Sequence, residues 1–403
     1  MLLGNFLPGG NYSRAISSLG KITRVDLLEQ GVSPIRRYLQ TSIERDLARK
    51  MVFVGGPRQV GKTQLGKMIV PDPSAYLSFD IAEHRSAILK AELPPTDAWF
   101  FDEIHKYRGW RNYLKGLYDA AGGRKRILVT GSARLDFYRF GGDSLQGRYF
   151  YFRLHPLSLA EVGGRTPADL AALLNLSGFP EPFLGGSETE ARRWSLAYRE
   201  RLIRDEVTSI ESISDLAKLE LLANALPARV GSPLSVNALR EDLQVSHATV
   251  ARWLDVLERL YAIFRLPPFG APRLRAVRKE QKHYHFDWNV VEDRAARFEN
   301  LVAAHLLKWA NYQVDTQGHA IELRYYRDID GREVDFVLTH SSRAIGFVEC
   351  KWDDAEVSPS LRYLRQRFPD VPAWQVSAVG TKDFETPDGI RVAPAGVLLS
   401  ELV

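Results

Sequence analysis

Apolar and polar residues follow three different patterns along this chain. In the first third, short unbroken apolar runs separate helical stretches. Met51-Val52-Phe53-Val54, Ala98-Trp99-Phe100-Phe101 and Ile127-Leu128-Val129 are such runs, the last within a strand predicted over Arg126 to Ser132. They predict buried strands, with a further strand at Ala75 to Asp80. Between them Arg36 to Lys50, Gln64 to Ile69, Ile81 to Ala91 and the stretch holding Trp110, Tyr113, Leu114, Leu117 and Tyr118 repeat at helical spacing. Strands alternating with helices predict a parallel sheet whose ligands meet the carboxyl ends of the strands.

The middle of the chain is helical. Ala168 to Asn175 and Ser187 to Thr208 predict helices around a turn at Gly178 to Glu181. Residues 216–226 bury Leu219, Leu222, Ala223 and Leu226. Ser235 then caps a short helix, Val236 to Leu243. After a turn at Gln244-Val245, Ser246 caps a longer helix with Val250, Leu254, Leu257 and Tyr261 inward. Two helices joined this way predict a helix-turn-helix, and Ala262 to Leu266 the strand of a wing.

In the last third the period drops to two. Val291 to Asn311 predicts one long helix, followed by strands at Leu323 to Tyr326, Glu333 to Leu338, Ile345 to Lys351 and a final one at Trp374 to Val379. Asp330-Gly331 marks a hairpin turn, and Leu361 to Phe368 a helix.

The strongest chemical signal follows the first strand. Gly56-Pro57-Arg58-Gln59-Val60-Gly61-Lys62-Thr63-Gln64 has two glycines with four residues between them, then Lys and Thr, opening a helix. Such a turn aims backbone N–H groups and the positive helix end at phosphate oxygens. Lys62 would reach the β- and γ-phosphates of ATP and Thr63 would bind Mg²⁺. The strand at Ala98 ends in Asp102-Glu103: Asp102 would hold Mg²⁺ and Glu103 polarise the attacking water. The strand at Arg126 ends in Thr130-Gly131-Ser132, so Ser132 or Thr130 would sense the γ-phosphate. Arg148, with Arg134 as rival, would complete a neighbour's site in a homo-oligomer. A surface arginine in a hairpin is the alternative.

Two further sets of residues carry chemistry. His247, Thr249 and Arg252 fall off the apolar stripe of the longer helix and would enter a DNA groove. Protein contact is the alternative, since Asp255 and Glu258 on that helix repel phosphate. The strip Arg273-Leu274-Arg275-Ala276-Val277-Arg278-Lys279-Glu280-Gln281-Lys282-His283-Tyr284-His285 is basic enough to neutralise several phosphates of DNA; a solvated loop between domains is the alternative. In the last third, Asp335 precedes a hairpin partner carrying Glu349-Cys350-Lys351, with Glu349 and Lys351 on one face. This layout resembles that of restriction-endonuclease-like nucleases. The resemblance implies that Asp335 and Glu349, with Glu299 from the long helix as third acid, would share a Mg²⁺ ion and that Lys351 would steady the nucleophile or phosphate. The alternative is a structural ion pair between the carboxylates and Lys351.

Composition narrows this picture modestly. At 403 residues the chain predicts two or three domains, and its 45% hydrophobic and 26% charged content suits globular cores. The net charge of +5 permits a nucleic-acid partner without requiring one. A single cysteine, Cys350, excludes an internal disulfide. Met1 to Gly10 makes a poor signal peptide, and no apolar run reaches spanning length. A cytoplasmic protein with no membrane partner is the expectation.

Several segments together resemble one family: AAA-type ATPases of bacteria and archaea with a C-terminal part of unknown function. The residues that carry the likeness are Gly56 to Thr63, Phe101-Asp102-Glu103-Ile104-His105-Lys106, Thr130-Gly131-Ser132, Gly147-Arg148, Arg204-Asp205-Glu206, Gly331 to Phe336 and Val348 to Lys351. His105 stands where relatives often have Gln, and residues 1–30 look unmatched. The resemblance implies an α/β protein with a P-loop AAA-type parallel-sheet ATPase domain, a winged helix and a restriction-endonuclease-like domain. The expected boundaries are an extension at 1–34, the ATPase at 35–165, a helical linker at 166–214, the winged helix at 215–270 and the nuclease-like domain at 271–403. The expected activity is Mg²⁺-dependent ATP hydrolysis coupled to work on DNA, branched or junction DNA included. The alternatives are an ATP-gated, metal-dependent DNA endonuclease and a nucleotide switch acting on a protein partner.

Overall fold

The computed structural model describes residues 35–131, 145–207, 215–270 and 281–403. The extension at 1–34 and the candidates Ser132, Arg134, Arg273, Arg275, Arg278 and Lys279 lie outside the described residues.

The first domain is a five-stranded parallel sheet. Helix α1 (Gln40–Leu47) leads into β1 (Met51–Gly55), and α2 (Lys62–Ile69) follows it. Next come β2 (Tyr76–Ser78), α3 (Ala82–Lys90), β3 (Ala98–Asp102), α4 (Trp110–Ala120), β4 (Arg126–Thr130) and β5 (Tyr149–Arg153). The sheet order is β2-β3-β4-β1-β5. Val52, Val54, Phe100 and Leu128 face one core, while Met51, Phe53, Phe101, Ile127 and Val129 face another against α4. Burial on both faces is why these strands read as continuous apolar runs.

Helices α5 (Pro167–Leu176), α6 (Pro180–Gly185) and α7 (Glu188–Arg201) follow. A capping box at Thr166 and Asp169 starts α5, and the Ser187 side chain starts α7. Beyond α8 (Leu216–Ala225) come α9 (Val236–Leu243) and α10 (His247–Arg259), whose first turns are capped by the Ser235 and Ser246 hydroxyls. Gln244 takes a left-handed conformation, φ 53°, that turns the chain between them. Strand β6 (Ile263–Leu266) then pairs antiparallel with β7 (Lys282–His285), Leu266 opposite Lys282.

Helix α11 (Arg294–Gln317) is the longest element and touches both sheets, packing on β5 and on β8 (Ile321–Arg327). Its buried side chains make one core continuous from Val52 to Trp374. The C-terminal sheet continues with β9 (Glu333–His340), β10 (Arg343–Lys351), helix α12 (Pro359–Arg367) and β11 (Ala373–Ser377). Strand β11 is not the last one. Strands β12 (Phe384–Glu385) and β13 (Ile390–Pro394) and helix α13 (Ala395–Leu399) follow, giving the order β12-β13-β11-β10-β9-β8. The short β12 has no apolar run, and its existence depends on pairing with β13. Among the described residues no helix is long and apolar enough to cross a membrane.

Candidate functional site

Register alone brings the first site together. Ser78 pairs with Asp102, Asp102 with Thr130 and Thr130 with Val54. The ends of β2, β3, β4 and β1 therefore share one edge of the sheet, where the phosphate loop leaves β1. Gly56 has φ 136°, and a Cβ there would lie 2.3 Å from the Leu154 carbonyl oxygen. Only glycine fits that bend. Helix α2 begins at Lys62, immediately after Gly61. Arg58, Gln59 and Gln64 are exposed around the loop, and Val60 is buried.

The Lys62 ammonium donates to the carbonyl oxygens of Gly56 at 3.0 Å and Pro57 at 2.6 Å. It is folded back on the loop that would carry the phosphates. The Thr63 hydroxyl donates to Asp102 Oδ2 at 2.9 Å, and the Tyr76 hydroxyl to the same oxygen at 3.1 Å. The Thr130 hydroxyl donates to Asp102 Oδ1. A hydroxyl and a carboxylate meeting at a helix start fit Mg²⁺, which binds through one or two protein groups and otherwise through phosphates and water.

Glu103 adopts the left-handed region, φ 56° and ψ 22°, at a cost on the order of 1–3 kcal/mol for a residue other than glycine. The Thr130 carbonyl accepts its N–H at 3.0 Å. Its carboxylate turns towards Lys106 at 3.4 Å and His105 at 3.6 Å. Burial pushes the Glu103 carboxyl above its ordinary range, against the pull of Lys106 and Lys62. That shift makes it a better proton acceptor. Lys106 also pairs with Asp80 at 2.6 Å.

Arg37 shows a contribution that sequence patterns do not reveal. Its buried guanidinium donates to the Val60 carbonyl of the phosphate loop at 2.8 Å, to the His155 carbonyl at 2.5 Å and to Glu161 at 2.8 Å. Glu161 accepts from Lys308 of α11 as well. A chain of buried charge thus runs from the phosphate loop to the helix that carries the C-terminal sheet. Burial opposes the ionised Glu161, but Arg37 and Lys308 prevail and lower its pKa to about 2. No short motif marks Arg37, because its partners come from distant segments.

Arg148 lies at the other edge of the sheet. Tyr149 pairs with Met51 at the start of β1, so Arg148 stands at the amino ends, away from its own chain's phosphate loop. Its guanidinium pairs with Asp119 at 2.8 Å.

Of the expected DNA-contacting residues on α10, His247 and Arg252 are exposed. Thr249 is half-buried, and its hydroxyl lies 2.8 Å from that of Ser246 within the helix cap. The acids Asp255 and Glu258 are both bound by Arg265 of β6, which offsets their repulsion of phosphate. Lys282 corrects an expectation: it does not belong to a solvent-facing basic strip. It is 0% exposed, with Nζ 2.6 Å from Glu333 and 3.6 Å from both Glu299 and Asp335. Three acids from two elements outweigh the cost of burying its charge and raise its pKa.

Of the expected acids, Glu299 and Asp335 meet at that lysine, while Glu349 lies beside Asp335. The Tyr284 hydroxyl donates to Glu299 at 2.7 Å. The Asp335 carboxylate accepts the Cys350 N–H at 2.9 Å, and Glu349 accepts from Lys351 at 2.8 Å. Burial, then the nearby Asp335, pushes the carboxyls of both Glu299 and Glu349 upward. Among the described residues no group of three or more His, Cys, Asp or Glu side chains is placed to hold a metal ion. With a lysine ammonium among the acids, this set does not fit the metal expected for Asp335, Glu349 and Glu299.

Comparison with known proteins gives matches along the chain. Residues 48–163 match an AAA domain. Residues 167–292 match a domain of unknown function (DUF8612), and residues 295–398 match another (DUF4143). Uncharacterized proteins of Mycobacterium tuberculosis and Mycobacterium bovis are each 24% identical over 381 residues, 91% of this chain and 85% of theirs. Among solved structures, a Walker-type ATPase of Pyrococcus abyssi has a TM-score of 0.44 at 15% identity, covering 66% of this chain and 97% of its own. The ORC1 protein of Aeropyrum pernix in complex with DNA has a TM-score of 0.34 at 16% identity, covering 70% and 96%. Both scores are too low to bear on function. The AAA match places a P-loop ATPase domain in the N-terminal part of this protein.

Proposed function

We propose that the protein is a Mg²⁺-dependent ATPase that couples hydrolysis to work on DNA. The observation that carries the reading is the meeting of Lys62, Thr63, Asp102, Glu103 and Thr130 at one sheet edge.

Backbone N–H groups of residues 58–62 and the start of α2 bind the phosphates of ATP. Lys62 leaves the Gly56 and Pro57 carbonyls for the β- and γ-phosphates. Thr63 and Asp102 hold Mg²⁺, which when bound neutralises charge on the phosphates and the departing oxygen. Glu103 accepts the proton of the attacking water, and its raised affinity for protons suits that role. Thr130, hydrogen-bonded to Asp102, joins Ser132 in sensing the γ-phosphate. Arg148 stands at the far edge of its own sheet, so a phosphate that it meets belongs to another copy in a homo-oligomer.

Helices α9 and α10 with the β6–β7 pair form a winged helix in this reading, and His247 and Arg252 meet DNA. Arg273, Arg275, Arg278 and Lys279 add sequence-independent phosphate contacts. The test is ATP turnover with and without duplex, single-stranded and branched DNA. Stimulation by one of these, absent from Lys62→Ala, is expected. Turnover indifferent to all three, with no salt-sensitive DNA binding, would favour a switch acting on a protein partner.

A further inference from the structure

Strand β7 brings Lys282 to the junction of three parts of the molecule. Its backbone pairs with Leu266 on one side and bridges to Pro233 on the other. Its side chain leaves the helix-turn-helix unit and enters the acidic pocket between α11 and β9, where Glu299, Glu333 and Asp335 surround the ammonium. The Tyr325 ring of β8 lies 5.6 Å from Nζ. Tyr284, two residues along on the same face of β7, donates to Glu299. From the loop before α9, Gly231 approaches so closely that a Cβ would stand 2.9 Å from the Glu299 carboxylate. The remaining charges are also matched: Lys351 binds Glu349 and Arg327 lies 3.6 Å from Glu333.

We propose that Lys282 is the resident cation of this pocket. It stands between Glu299 and Asp335, where a divalent metal shared by these acids would have to sit, so the C-terminal domain does not cleave DNA with a metal held there. The same contacts lock the helix-turn-helix unit to the C-terminal sheet. A buried ammonium held by acids from α11 and β9 is a directional tie, because moving β7 away would strand charge on both sides. A mobile metal would be exchangeable; a lysine cannot leave.

The test is Mn²⁺ binding to the full chain without nucleotide, read by electron paramagnetic resonance, in wild type, Lys282→Met and Lys282→Met/Asp335→Asn. The nucleotide site does not depend on Asp335, so the readout is separate from the ATPase reading. Wild type is expected to show no Asp335-dependent Mn²⁺ site. Lys282→Met is expected to gain one at least tenfold tighter than any in wild type, and the double variant to lose it. A wild-type site abolished by Asp335→Asn, or a folded Lys282→Met with no gain, would overturn the proposal. If Lys282→Met does not fold, Lys282→Met/Glu299→Gln/Asp335→Asn decides the matter. Recovery of the fold with the acids neutralised is expected. Continued failure would mean that the lysine acts by shape and not by charge.

Discussion

Lys62 and Lys282 are two buried lysines beside acids, and they are held in opposite ways. Lys62 rests on the backbone carbonyls of Gly56 and Pro57 in the phosphate loop. Those contacts are neutral and replaceable, so a triphosphate can take the ammonium from them. Lys282 rests on three carboxylates and has no better partner to move to. The first lysine is poised for binding, while the second is already bound. Residue type and burial are nearly the same in both places; the charge of the acceptor separates a site from a joint.

The widest separation is expected in activity. Lys62→Ala should reduce ATP turnover by about 10²–10³-fold, the usual effect of removing a donor to developing charge. Glu103→Gln should cost about 10²–10⁴-fold, the share of a general base, while nucleotide binding persists in a fluorescent-nucleotide titration. Wild-type turnover in either variant would break the comparison from the catalytic side.

Stability should show the reverse ranking. Lys282→Met leaves carboxylates buried without their cation and should cost about 3–5 kcal/mol in urea unfolding. Lys62→Met removes neutral hydrogen bonds at a loop and should cost about 1 kcal/mol or less. Equal losses would erase the distinction between joint and site.

Acid should act next. Glu161 has a folded pKa of about 2, below the ordinary 4.5. The unfolded chain therefore binds the proton more readily, and stability present above pH 4.5 is lost as pH falls towards 2. A shift of this size corresponds to about 3 kcal/mol. Glu161→Gln should flatten that part of the stability–pH curve, as followed by thermal unfolding at stepped pH. An unchanged slope would remove Glu161 from the link between Arg37 and α11.

The smallest expected effect lies on α10. Arg252→Ala should reduce the salt slope of DNA binding by about one, the signature of one lost phosphate contact. Fluorescence anisotropy across a salt series measures it. No change would turn α10 away from DNA.

How much could be read in advance depends on how local each feature is. Gly56 to Thr63 are consecutive, and the apolar run before them and the helix after them sit in the same stretch. Asp102 and Thr130 end apolar runs, and strand register did the rest. Ser235 and Ser246 cap helices within four residues of themselves. Arg37 was invisible because its partners at Val60, His155 and Glu161 come from elsewhere in the chain. Lys282 looked like part of a basic strip because its sequence neighbours are basic, whereas its spatial neighbours are acids.

Sequence by itself determined the phosphate loop, the acidic strand end beside it and the capped helix pair, since each rests on backbone geometry spanning a few residues. Only the tertiary structure decided which cation meets which acid. Ion pairing depends on distance through space and on the removal of water, and neither quantity is written along the chain.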